Sequence, residues 1–326
     1  MANGKLLRQL VKAGTSGDAD AFRRASEAVI REERDKQHHL LANDLENILY
    51  GRSAPIASNV QRHLFDGVPS DKERGLPLIE MREPTRSEQE IVLSDQNASL
   101  IEEIIQEYRR VETLQSYGLR PAEKLLFCGP PGCGKTLAAE VLAYELERPL
   151  GIVRLDTVVS SYLGETAANL RKVFDFAQEH SIVLLFDESD ATEHGELKRV
   201  VNSVLQMMDS FRSDTLFISA SNHERMLDSA IWRRFDDVLL FERPSIQQIR
   251  KLLTLKLRAV RVDFSLDSTS LVSQLNGMAH ADIERVLRRA IKDMVLQRRD
   301  FLSETHLRAA LAREEGRTKL CKGQID

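Results

Sequence analysis

The chain has 326 residues, 42% hydrophobic and 29% charged, and its 46 Lys+Arg against 50 Asp+Glu leave a formal charge of −4. That balance gives no chain-wide electrostatic case for nucleic acid, and three cysteines, Cys128, Cys133 and Cys321, are too few for a disulfide framework and fit a reducing compartment. No apolar stretch nears the roughly 20 residues of a membrane span, and the N-terminus has no signal-peptide core, so a cytoplasmic protein without a membrane partner is expected.

Residues 1–52 read as a small helical module. Leu6, Leu7, Leu10 and Val11 make one apolar face, Phe22, Ala25, Ala28 and Val29 a second, and Leu40, Leu41, Leu45, Ile48 and Leu49 a third. Arg31-Glu32-Glu33-Arg34 reads as a solvated face. His38 and His39 are adjacent, point apart on a helix, and read as ordinary surface histidines. A module this small buries little core of its own, and docking is its default role. Residues 53–90 are broken by Pro55, Pro69, Pro77 and Pro84 and read as a linker, with a short helix at 59–65 and an extended piece at 76–81. A helix is expected at 98–113, carried by Leu100, Ile101, Ile104, Ile105 and Tyr108.

From there strands alternate with helices. Apolar runs at 125–127, 151–155, 182–186, 215–219 and 238–241 are separated by helical patterns at 137–147, 167–178 and 197–208. Continuous apolar runs suit strands buried on both faces of a parallel sheet. Residues 91–243 are therefore expected to form a doubly wound, five-stranded parallel α/β domain with ligands at the carboxyl ends of the strands. After Pro244 the strand pattern stops. Ser245 and Gln248 have capping-box spacing, opening a helix to about residue 260, and further helices fit 268–275, 281–298 and 303–313. Residues 244–326 read as a helical subdomain.

The most specific stretch is Gly129-Pro130-Pro131-Gly132-Cys133-Gly134-Lys135-Thr136, placed between an apolar strand and a helix that opens with Leu137. This is the GxxxxGK[ST] phosphate-binding pattern, expected by chance roughly once in a hundred chains of this length. Its glycines let backbone N–H groups crowd round phosphates, Lys135 reaches the β- and γ-phosphates, and Thr136 holds magnesium. Asp187 and Glu188 close the third apolar run. There the aspartate suits magnesium and the glutamate suits deprotonation of an attacking water. Asp190, in the same turn, reads equally well as a solvated acid. Asn222 ends the fourth strand, where an amide could meet the γ-phosphate or simply form a turn. Arg233 and Arg234 read first as surface charge, yet a guanidinium also stabilises transferring phosphate. If they act in trans, the chain must oligomerise.

These motifs, together with Ser219-Ala220-Ser221-Asn222, the segment 227–236 and Ala279-His280-Ala281-Asp282-Ile283, stand in the order and spacing of classical AAA ATPases, which the chain resembles over roughly residues 90–300. The resemblance implies ATP and Mg2+ as cofactors and a homo-oligomeric ring, commonly a hexamer, with ATP between subunits and a helical lid. It implies that Gly129 through Leu137 hold the nucleotide, with His280 and Ala281 near the adenine. Thr136 and Asp187 would be the metal residues, Glu188 the base, Asn222 the sensor, and Arg233 and Arg234 the arginine fingers. His280 stands where the family has glycine, and the two arginines are adjacent where many relatives space them. Ser160-Ser161-Tyr162-Leu163-Gly164-Glu165 resembles the pore loop of polypeptide-translocating members, in which an aromatic ring grips a backbone without reading its sequence. Tyr162 as a helix cap is the bland alternative.

No His-Glu-x-x-His helix or Gly-x-Ser-x-Gly elbow occurs, so no intrinsic protease is expected. Leu76-Pro77-Leu78, Arg82-Glu83-Pro84 and the stretch 194–203 resemble compact bacterial AAA ATPases paired with a separate subtilisin-like serine protease, some of them similar to anti-phage defence systems. The resulting expectation is an ATP-hydrolysing ring that threads polypeptide. A nucleic-acid-dependent motor and a nucleotide-gated assembly switch are its rivals.

Overall fold

The computed structural model describes residues 25–26, 28, 67–71, 75–158, 165–187, 204, 207–208, 214–222, 232–266 and 269–321. Strands β1 (Ile79–Arg82), β2 (Lys124–Cys128), β3 (Leu150–Val153), β4 (Val183–Asp187), β5 (Leu216–Ser221) and β6 (Asp237–Leu240) form one sheet in the order β1-β3-β4-β5-β2-β6.

The strands are apolar on both faces, and that decides the architecture. Leu125 and Phe127 of β2 enter one buried cluster while Leu126 and Cys128 enter the other, and β4 divides alike, Val183 and Leu185 against Leu184 and Phe186. A sheet of this kind needs a helical layer on each side. Helices α1 (Asp95–Arg109) and α3 (Lys135–Glu145) cover the first face through Ile101, Ile104, Ile105, Ala138, Ala139 and Leu142. Between them in the chain lies the short α2 (Val111–Ser116). After β3 come α4 (Leu155–Val158) and α5 (Glu165–Glu179), and α5 covers the second face through Leu170, Val173, Phe174 and Ala177. Phe174 stacks on Phe186 and Phe217 at ring separations of 6.0 and 5.4 Å.

The five parallel strands are those expected, and a sixth joins them. β1 pairs antiparallel with β3, Ile79 opposite Val153 and Arg82 opposite Leu150. It arises from the end of the stretch read as linker, where Leu78 and Ile79 are fully buried. Helix α1 also begins before the expected residue 98, because the Ser94 side chain accepts from Asn97 N. It stops at Arg110, so the single helix expected at 98–113 is two.

Helices α6 (Ile246–Leu257), α7 (Thr269–Leu275), α8 (His280–Leu296) and α9 (Glu304–Cys321) enclose a separate core of Ile249, Leu253, Ile283, Leu287, Ala290 and Ala310. The capping box at Ser245 and Gln248 is formed in both directions. Residues 1–66 and 67–326 are separate compact units. Of the first, only Ala25, Ser26 and Ala28 are described, all helical. The expected helices of 3–50 are otherwise outside the described residues, as are the short helix at 59–65, Tyr162, Leu163, Gly164, Glu188, Asp190 and the stretch 194–203. No helix among the described residues is long and apolar enough to cross a membrane.

Candidate nucleotide site

Gly129 follows β2, and Gly129 N donates to Ser221 O at 3.2 Å, fastening the loop to the end of β5. Three of its glycines have positive φ: 145° at Gly129, 76° at Gly132 and 101° at Gly134, the N-cap of α3. L side chains avoid this region. At Gly129 space is decisive as well, since a Cβ would stand 1.9 Å from Phe241 O, whose chain is bound to β2 by Phe241 N donating to Cys128 O at 2.7 Å. The first amides of α3 have no acceptor within their own helix and, with the dipole, favour an anion there.

Two side-chain pairs assemble on this loop. Lys135 Nζ, on a residue only 6% exposed, donates to Gly129 O at 2.6 Å, Pro130 O at 3.1 Å and Asn222 Oδ1 at 2.7 Å. Thr136 Oγ1 donates to Asp187 Oδ2 at 2.7 Å. The carboxyl ends of β2, β4 and β5 thus converge on adjacent residues of α3, Lys135 and Thr136. A buried ammonium beside a glycine cradle fits a polyphosphate, and a hydroxyl–carboxylate pair offers the hard oxygens that Mg2+ prefers. Cys133 is buried in the same loop, and burial pushes its thiol pKa above its ordinary value, leaving it a poor nucleophile.

The C-terminal helices reach the loop through the start of α8. Ala281 N donates to Gly132 O at 3.0 Å, and a Cβ at Gly132 would come 3.2 Å from that of Ala281 and 3.4 Å from that of Ala279. His280, between these two alanines, is therefore beside the phosphate loop in space. Its two ring nitrogens are buried without a hydrogen-bond partner, and burial lowers its pKa from 6.5. Such orphaned atoms suit a site that a heterocyclic base or a bound water completes.

Arg233 and Arg234 are exposed in the turn before β6. β6 runs parallel to β2 with Asp237 opposite Leu125 and Leu240 opposite Cys128, so the arginines stand at the amino end of the sheet and Gly129 at the carboxyl end. The structure does not bring them to their own loop. Asp236, two residues after Arg234, pins that end by accepting from Glu123 N and Lys124 N at 2.8 and 2.9 Å.

One element escaped sequence reading. Ile91 and Leu93 pack on the sheet's core while Val92 between them packs on the core of the C-terminal helices, so three consecutive residues bridge the two cores. Arg243 makes a second bridge, donating from Nη1 to Gly277 O at 2.9 Å. The apolar run of 91–93 after a proline-rich stretch was the available signal, but its alternation between two cores is a tertiary fact.

Residues 125–243 match the family described as the ATPase family associated with various cellular activities, AAA. That span holds the phosphate loop, Asp187, Asn222 and the arginine turn. The chain is also 41% identical over 330 residues to an uncharacterized AAA family ATPase, y4kL, of Sinorhizobium fredii (strain NBRC 101917 / NGR234), covering 97% of each. A likeness that runs over nearly the whole chain places the phosphate loop in its own family context: the chain belongs to the AAA ATPase family.

Proposed function

We propose that this ATPase is a ring-forming, cytoplasmic protein remodeller, commonly a hexamer, that completes each nucleotide site with a neighbouring copy and threads polypeptide through the ring. One observation carries the reading: Lys135, Thr136, Asp187 and Asn222 gather at one end of the sheet, while Arg233 and Arg234 stand beyond the other end of β6. Four residues of strand at about 3.3 Å each separate them by more than about 13 Å, beyond the reach of an arginine side chain. Guanidiniums so placed serve the phosphates of another copy.

In this reading Gly129 through Leu137 cradle ATP, and His280 and Ala281 line the adenine side. Thr136 and Asp187 hold Mg2+, which when bound neutralises phosphate charge. Glu188 deprotonates the attacking water, and Asn222 holds it in line while fixing the Lys135 ammonium. Tyr162, Leu163 and Gly164 grip an extended polypeptide. A separate subtilisin-like serine protease as partner, and a place in phage defence, extend the reading on the resemblance of residues 76–84 and 194–203. Affinity capture with such a protease expressed alongside tests that extension.

ATP turnover measured with unfolded casein and with DNA tests the core of it. Stimulation by casein alone is expected. Glu188→Gln should bind ATP and assemble with turnover reduced about a hundredfold or more, and Tyr162→Ala should retain turnover but lose unfolding. Stimulation by DNA and not by casein would replace this reading with a nucleic-acid motor.

A further inference from the structure

His280 is the first residue of α8, and the fold does not account for its ring. The helix is capped without it: Ala279 is the N-cap with no side-chain hydrogen bond, and Ala281 N donates to Gly132 O at 3.0 Å. Both ring nitrogens of His280 are buried without a hydrogen-bond partner, and the flanking Ala279 and Ala281 carry no polar side-chain atom. An imidazole always presents at least one N–H, so burial in this state leaves a donor unmet, whereas buried polar groups are paired with few exceptions. A ligand atom that meets the ring removes that cost.

The order of the strands decides which part of a nucleotide comes here. β5 and β4 lie on one side of β2, and β6 lies on the other. Asn222, which accepts from the Lys135 ammonium, directly follows β5, and Asp187, which accepts from Thr136, ends β4. The groups that suit the terminal phosphate and its cation are thus on the β5 side of the loop. The start of α8 is tied to the β6 side, because Arg243, three residues after β6, donates to Gly277 O in the turn that leads into α8. A nucleoside triphosphate whose terminal phosphate meets Lys135 and Asn222 therefore carries its base toward His280.

Burial lowers the His280 pKa from 6.5, so the ring is neutral at pH 7.5, with one N–H and one bare nitrogen. A protein partner normally decides which nitrogen holds the hydrogen, and His280 has none. The ring can then offer an acceptor to an amino group or a donor to a carbonyl. Adenine and hypoxanthine differ in just this respect: C6 carries an amino group beside a bare N1 in one, and a carbonyl beside N1–H in the other.

We infer, on the reading of this loop as an ATP site with its adenine side at His280, that His280 hydrogen-bonds the edge of a purine base and does so for a 6-amino and a 6-oxo purine alike. This contact selects purine nucleoside triphosphates as a class, and it does not separate ATP from its 6-oxo counterpart.

The test is equilibrium binding to the full chain in Mg2+ with three probes: ATP, inosine triphosphate, and inorganic tripolyphosphate, which has no base. His280→Phe keeps an aromatic ring and removes both nitrogens, and His280→Ala removes the ring as well. Each variant should bind ATP and inosine triphosphate about fivefold to thirtyfold more weakly than wild type, by factors that agree within about threefold. Tripolyphosphate should bind each variant within about twofold of wild type, which shows that the loop is intact. A loss confined to one of the two nucleotides overturns the class selection, and no loss for either overturns the contact. An equal loss for all three probes in both variants makes His280 a structural residue and overturns the contact as well. A wild-type chain that binds none of the three removes the nucleotide reading itself, whereas variants that bind as wild type does remove only the His280 contact.

Discussion

Lys135 and Asn222 share one hydrogen bond, 2.7 Å from Nζ to Oδ1, which ties the first turn of α3 to the residue that directly follows β5. The amide thereby does two things at once: it positions the ammonium and it faces the place where a phosphate enters. Asn222→Ala should leave Lys135 with its two carbonyl acceptors and therefore bound in place. Nucleotide affinity should change by less than about threefold while kcat falls about tenfold to a hundredfold, the usual loss for one positioned polar group. Equilibrium binding and steady-state turnover measured on the same preparation separate the two effects.

The Thr136–Asp187 bond at 2.7 Å makes a different expectation. Both groups offer oxygen to a divalent cation, and neither needs the cation to stay in place. Thr136→Ala removes one hydrogen bond to a carboxylate, about 1.5–3 kcal/mol of stability, and one oxygen. Nucleotide affinity measured in Mg2+ and in EDTA should differ by about tenfold or more for wild type and hardly at all for the variant. An equal magnesium effect in both would take Thr136 out of the metal site.

How much of this was legible beforehand follows from how local each feature is. The phosphate loop was legible because Gly129, Gly134, Lys135 and Thr136 act through near neighbours, and the cap of α6 because Ser245 and Gln248 are three residues apart. β1 was seen only as an extended piece. Its four residues carry little periodic signal, and its partner, Leu150–Val153, is distant in sequence. The bridging by Ile91, Val92 and Leu93 was hidden for the same reason: the residues announce burial but not which of two cores each enters. Arg233 and Arg234 were legible as a pair, and their distance from the loop became plain once β6 was seen to lie parallel beside β2.

Gly129 and Gly134 both have positive φ, yet they should tolerate a methyl group differently. At Gly134 a Cβ meets nothing within 4 Å, so Gly134→Ala carries only backbone strain, about 1–2 kcal/mol. At Gly129 the same Cβ strikes Phe241 O at 1.9 Å, and Phe241 is packed ring to ring with Phe127 at 5.0 Å. Relief requires β6 to shift away from β2. Gly129→Ala should therefore cost about 3 kcal/mol or more. Urea midpoints with unchanged slopes measure the difference.

His280 gives the site a pH dependence whose sign follows from its burial. Its pKa in the folded chain is lowered below 6.5, with burial the only cause, and its ring nitrogens have no hydrogen-bond partner. Well above pH 6.5 the ring is neutral in both the folded and unfolded chain and contributes nothing to the pH slope. As pH falls below 6.5 the unfolded chain takes up a proton that the folded chain resists, so stability declines until the folded pKa is reached. His280→Ala removes this one contribution. At pH 7.5 it should change stability by no more than about 1 kcal/mol, since the lost packing is offset by the loss of unpaired polar atoms. Between pH 6.5 and pH 5 the variant should gain on wild type, the two curves drawing apart in its favour. The difference between the two curves isolates His280 from the other histidines. Curves that stay parallel across that window would show the ring titrating as freely in the folded chain as in the unfolded one, and with it an exposed imidazole in place of the buried one beside Gly132.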